Sequence, residues 1–208
     1  MTTVLIAVGI DAYQKYSAAF LRSIFQHEPA ARVVLVDNHA PDIYPSEYPG
    51  VVVTRTDNRL SMAAACNYGA YAALKTWPRA KWLMFGNNDL LCTAPFVEQV
   101  EALQPSAVYG PVLLSGGDWG GSWLDGWLMA IPRKVWKAVG EFDEAFLGAG
   151  FEDADYCLRA QEHGYPSQVA PLPFEHLEAH SRYNTPDFWA KRRDNAERLK
   201  KYGIKVKL

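Results

Sequence analysis

Cysteine is scarce in this chain. Cys66, Cys92 and Cys157 form an odd, widely spaced set among apolar neighbours, which excludes a disulfide framework or a cysteine-rich metal site and reads as reduced core thiols. Neither sign of charge dominates. With 21 Lys and Arg against 23 Asp and Glu, the formal charge of −2 gives no global attraction to nucleic acid or an anionic membrane, so electrostatic recognition must be local. No apolar run approaches the roughly 18 residues of a membrane span, and the opening MTTVLIAVGIDAY lacks the basic residues of a signal peptide. A cytoplasmic protein with no integral membrane segment is expected. Two catalytic patterns are missing as well. Residues 8–12, VGIDA, lack the GxGxxG turn that lets a dinucleotide pyrophosphate approach a helix, and PFEHLEAHS is not the HExxH of a zinc protease.

What is present suffices for one α/β domain. Over 208 residues, 49% are hydrophobic, enough to bury a sizeable core. Short β-branched runs at VLIAV (4–8), RVVLVD (32–37) and VVVTR (51–55) read as buried strands, and the helical period of Ala18, Leu21 and Phe25 inserts a helix between the first two. Ser61 is placed to cap an alanine-rich helix beginning at Met62, KWLMFGN supplies a fourth strand ending at Asn87, Pro95 opens a helix to Leu103, and AVYGP forms another strand. The second half differs. LSGGDWGGSWLDGW (114–127) has too little periodicity for regular structure and is expected to be a long loop; WLMAIP is a strand, Arg133–Val139 and Glu152–His163 are helices, and a helix starts near Thr185 and runs to Lys201.

In an open parallel sheet, ligands gather at the carboxyl ends of the strands. Asp11 follows strand one; Asp37 and Asn38 end strand two; Asn58 follows strand three; Asn87, Asn88 and Asp89 follow strand four. Such residues are also ordinary turn formers, so only their joint placement points to a site. Asp37 can accept hydrogen bonds from a ribose or base, and Asp89 can hold a divalent cation facing a diphosphate. Glu152, Asp153 and Asp155 open a helix whose dipole favours carboxylates there, which leaves a structural and a proton-accepting role both open. Trp119, Trp123 and Trp127, with Asp125 among them, suit either a sugar-stacking acceptor platform or core packing.

Taken in order, VLVDNHAPD, NRLSMAAACNYGA, WLMFGNNDLL, GWLMAIPRKVWKAVGEFDEAFLGAGFEDADYCLRAQEHGY and FEHLEAHS resemble family 2 glycosyltransferases, with a rhamnosyltransferase-like cast, over roughly residues 3–181. The resemblance implies a GT-A fold: a Rossmann-like, mostly parallel sheet flanked by helices, with an elaborated acceptor-side second half. It implies a nucleotide-sugar-binding half (1–110), an acceptor and catalytic half (111–185) and a basic C-terminal helix (186–208). It also implies a metal-dependent hexosyltransferase using a UDP-, GDP- or dTDP-linked donor and Mn2+ or Mg2+. Asp37 matches the nucleoside-contacting acid, and Asp11, Asn38, Asn58, Asn67 and Asn88 fall on the donor side. Asp89 is the surviving carboxylate of a DxD-like motif that reads NND here, His176 matches the late metal-site histidine with His180 as an alternative, Asp153 falls on the catalytic base, and Glu152 supports it. The implied reaction is an inverting single displacement.

The acceptor is less defined. Residues 187–208 carry eight basic against three acidic side chains. A solvated helix face is one reading; the other is a site for an anionic acceptor, whether a lipid-linked saccharide at a membrane surface or a modified nucleic acid, beside the plain saccharide acceptor. A non-catalytic nucleotide-sugar or carbohydrate-binding module and a dinucleotide-dependent oxidoreductase are the rival functions.

Overall fold

The structure is a computed structural model that describes residues 2–46, 48–115, 122–177 and 188–204. Strand β1 (Thr3–Gly9) is buried along its length, as expected of a strand covered on both faces. Helix α1 (Ser17–His27) returns the chain to β2 (Val33–Asp37), which lies parallel to β1 and leads to the edge strand β3 (Val51–Arg55). Ser61 caps α2 (Met62–Thr76) by accepting the Ala64 N–H at 3.2 Å. The small residues of α2 allow a close approach to the sheet. A Cβ added at Gly69 would lie 2.4 Å from Ile6 Cγ2 and 2.8 Å from Val36 Cγ2.

The chain continues through β4 (Trp82–Asn87), β5 (Leu90–Cys92), α3 (Val97–Glu101), β6 (Val108–Gly110), β7 (Leu113–Ser115), β8 (Ser122–Leu124), β9 (Leu128–Pro132) and α4 (Arg133–Val139). Helix α5 (Glu152–Glu162), β10 (Ser167–Val169), β11 (Phe174–His176) and α6 (Phe188–Arg198) follow, the last continuing into a 3-10 turn at Leu199–Tyr202. Among the described residues, seven strands form the central sheet in the order β10-β6-β9-β4-β1-β2-β3. It is parallel except where β9 runs antiparallel between β4 and β6.

Two hydrophobic cores follow from the alternation of side chains along the strands. Ile6, Val8, Val34 and Val36 meet α2 and α5 on one face, while Leu5, Ala7, Val33 and Leu35 meet α1 and Phe96 on the other. All three cysteines are buried and free of disulfides. The segment expected to be a loop at 114–127 contains an antiparallel pairing of β7 with β8 that puts Leu114 opposite Trp123. Strand pairing supplies the order that the glycine-rich sequence conceals. Trp123 is core rather than an exposed platform, at 5% exposure.

Candidate functional site

The site has two walls. The first begins where β4 ends at Asn87 and a turn at Asn88 and Asp89 reverses the chain into β5. Strand β11 pairs antiparallel with β5, placing His176 opposite Leu90. His176 Nε2 consequently lies 3.3 Å from Asp89 Oδ1 and 3.2 Å from Asn87 Nδ2. The Trp127 indole stacks on the imidazole with centroids 5.2 Å apart and planes 9° from parallel, and its carbonyl accepts the Asn87 N–H at 3.1 Å. Asn88 turns the other way and donates to Ser17 Oγ at 2.8 Å, fastening the turn to α1.

Asp89 and His176 fit a hard divalent cation. Neighbouring ligands on a six-coordinate ion with bonds near 2.1 Å are about 3.0 Å apart, close to the 3.3 Å found here. Among the described residues no group of three His, Cys, Asp or Glu side chains could hold a metal. Two protein donors suit an ion bound largely through substrate phosphates, as Mg2+ commonly is, and do not suit a closed structural zinc site.

The second wall is the start of α5. Asp153 is gripped by two backbone donors, Gly126 N–H to Oδ2 and Ala154 N–H to Oδ1, both at 2.8 Å. Gly126 must be glycine for this approach, since a Cβ there would lie 2.6 Å from Asp153 Cβ and 2.7 Å from Oδ2. Glu152 Oε2 accepts the Gly150 N–H. Removal from water and the charge of Asp153 push Glu152 up to about 8. Removal from water raises Asp153 too, with Asp125 adding to the effect against the backbone hydrogen bonds. Carboxylates raised in this way hold a proton more tightly than a solvated carboxylate, which strengthens them as general bases. Phe151, immediately before the helix, has φ +73°. A left-handed non-glycine residue costs about 1–2 kcal/mol and is sustained only by its surroundings.

Asn87 at the end of the first wall and Glu152 and Asp153 of the second line one small cleft together with Gly126 and Met129. Gly126 and Trp127 connect the walls, one binding Asp153 and the next stacking on His176.

The other candidates are placed less openly. Asp37 is fully buried and its carboxylate receives Arg55 at 2.6 Å, Ala40 N–H at 3.0 Å and Tyr44 N–H at 3.3 Å. It braces the loop after β2 and presents no open oxygen to a ribose. Asn38 is spent on Leu60 and Thr56. Asn67 is held away from any ligand by Phe142 and Glu144, an internal strut between α2 and the loop before α5. Asp11 is half-buried, paired with Lys15 at 3.2 Å, and Asn58 is exposed. Asp125 is half-buried beside the cleft, its N–H bound to Val112 O at 2.9 Å. One face of Trp127 is committed to His176. Trp119 and His180 lie outside the described residues.

Residue reasoning missed Arg55, Gly126 and Asn195. Arg55 also donates to the carbonyls of Ala40 and Asp42, and Asn195 to that of Leu147. Only Gly126 carried a signal, a glycine between two candidate residues.

No family model matches the chain, and no curated protein matches it. Solved structures do. GalNAc-T7, solved with UDP, GalNAc and Mn2+, aligns at TM-score 0.73 and 14% identity over 96% of this chain and 48% of its own. The mannosyltransferase PcManGT of Pyrobaculum calidifontis, in complex with GDP-Man and Mn2+, aligns at 0.62 and 18% identity over 82% of this chain and 55% of its own. TarS of S. aureus aligns at 0.62 and 14% identity over all of this chain and 41% of its own. The fold is therefore the GT-A glycosyltransferase fold, and the chain spans about half the length of these proteins or less.

Proposed function

We propose that this chain is a nucleotide-sugar glycosyltransferase of family 2 character, with a rhamnosyltransferase-like cast, that moves a hexosyl group to an acceptor hydroxyl with inversion. The observation that carries the proposal is a cleft lined by the raised Glu152–Asp153 pair and by Asn87, whose amide contacts the His176 that lies beside Asp89. Two structures sharing the fold contain Mn2+ with UDP or with GDP-Man, which supports a donor and metal of those kinds.

Asp89 and His176 would hold Mn2+ or Mg2+. When bound, the ion supplies positive charge that neutralises the donor diphosphate and stabilises it as a leaving group. The rest falls to the chain. Trp127 fixes His176 in position through the stack, and the Asn87 amide, which meets the same Nε2, would yield that lone pair to the ion. Asp153 removes the acceptor proton as the hydroxyl oxygen bonds to the anomeric carbon and the bond to the diphosphate breaks. Glu152, raised to about 8 beside it, holds its own proton at neutral pH and leaves Asp153 as the ionised member of the pair, able to accept that proton. The donor nucleoside lies toward Asp11, Asn58 and the loop that Asp37 and Arg55 brace, with Asn38, Asn67 and Asn88 acting as struts.

A saccharide or lipid-linked saccharide is the acceptor this reading favours. The basic C-terminal helix supports a nucleic-acid acceptor less, because Lys200, Lys201 and Arg192 make contacts inside the chain. Among the described residues no helix is long and apolar enough to cross a membrane. A thermal-shift panel of UDP-, GDP-, dTDP- and CMP-sugars with and without Mn2+ tests the donor. One family of nucleotides should raise the unfolding temperature only with metal. A flat response sinks the proposal, and binding without turnover makes the chain a binding module.

A further inference from the structure

Helix α6 is polar on most of its surface, yet it buries an asparagine. Asn195 is 1% exposed and bonds three backbone groups of the loop before α5. Its Nδ2 donates to Leu147 O at 2.9 Å and Gly150 O at 3.0 Å, and its Oδ1 accepts the Leu147 N–H at 3.1 Å. Three steps along, Arg192 lays its guanidinium over the Phe151 ring, 4.6 Å from the centroid. Gly150, at φ +106°, sits directly under the guanidinium. A Cβ at Gly150 would come 2.6 Å from an Arg192 nitrogen.

This loop needs holding. Phe151 is strained at φ +73°, the flanking Gly148 and Gly150, at +71° and +106°, give the backbone freedom to move, and the carboxylates of Glu152 and Asp153 follow directly. A second grip lies one turn further into α5. Tyr202 and Lys201, in the 3-10 turn that continues α6, bond the fully buried Asp155 at 2.8 and 2.9 Å. Burial alone would raise Asp155; hydrogen bonds from Lys201 and Arg159 instead hold it below the ordinary carboxylate range.

We infer that α6 is a latch whose Asn195 and Arg192 are positioning residues, fixing the strained 147–151 loop so that Asp153 and Glu152 face the cleft. The inference rests on the proposed function for the role of those carboxylates; the mechanical coupling stands apart from it. Arg192 acts by charge as well as by stacking, since its cation lowers Glu152 against the larger effect of removal from water. The donor side of the cleft, built on the sheet, is untouched.

The test combines hydrogen exchange with kinetics on the full chain. In Asn195→Ala, exchange of the 147–153 backbone should rise while donor affinity holds, and kcat should fall about 10–100-fold with donor KM unchanged, the loss expected of a reacting group displaced by about 1 Å. Arg192→Met should move the acidic limb of the rate profile to higher pH, because a carboxylate losing a nearby cation holds its proton longer. Arg192→Lys, which keeps the charge and disturbs the fold least, should restore that limb. Unaltered exchange at 147–153 in both Asn195→Ala and Arg192→Met overturns the latch. Faster exchange in a protein that transfers no sugar keeps the latch and removes the glycosyltransferase reading.

Discussion

The two walls of the cleft are built by opposite means. The Asp89–His176 wall grows out of regular structure: β4 delivers the turn, β5 pairs with β11, and Trp127 covers the imidazole. The Glu152–Asp153 wall rests on a loop with three positive φ values, held by backbone amides and by a helix from the chain's far end. Their charge differs too. One wall offers a single carboxylate beside an imidazole, whereas the other crowds Glu152, Asp153 and Asp125 so that protons bind more tightly. On the proposed function the contrast is a division of labour: a sheet-borne wall that holds the donor, and a tensioned wall that moves a proton.

The largest effect should come from the proton-moving wall. Asp153→Asn keeps the shape but removes the base and, because an amide nitrogen cannot accept, one of the two backbone hydrogen bonds, so kcat should fall roughly 10²–10⁴-fold while the donor still binds; steady-state kinetics with separate donor titration checks both. A smaller loss is expected from Gly126→Ala, where the new methyl displaces Asp153. Activity should drop about 10²-fold or less with little change in donor affinity, and an equal loss of donor binding would break the contrast between the walls.

The smallest effect concerns stability. Glu152 is raised from 4.5 to about 8 in the folded chain, so folding favours its protonated form. Its contribution is complete below pH 4.5 and is lost as pH rises toward 8. Glu152→Gln removes that dependence. The variant should gain unfolding temperature relative to the parent at pH 8 compared with pH 5, and parallel curves at the two pH values would show that the crowding is relieved in solution.

The sheet was legible from the sequence because VLIAV, RVVLVD, VVVTR and KWLMFGN declare buried strands through composition alone. Ser61 and the acidic start of α5 were legible because caps and dipoles act within one turn. Asp89 meeting His176 depends on the β5–β11 pairing, a contact between distant segments of the chain that no local pattern encodes. Asp37 was legible as a polar residue at a strand end and Asn67 only through the family resemblance, but their hydrogen bonds to Arg55 and to 142–144 arise only from tertiary packing. Asn195 was hidden for the same reason: in a run of basic residues, one amide looks like another solvated side chain.

Isothermal titration of the donor that stabilises the protein, with and without Mn2+, into the parent chain, Asp89→Asn and Asp153→Asn tests this division most directly. Metal-dependent binding should appear in the parent, persist in Asp153→Asn and collapse in Asp89→Asn. Undiminished metal-dependent binding in Asp89→Asn, or its loss in Asp153→Asn alone, would contradict the account.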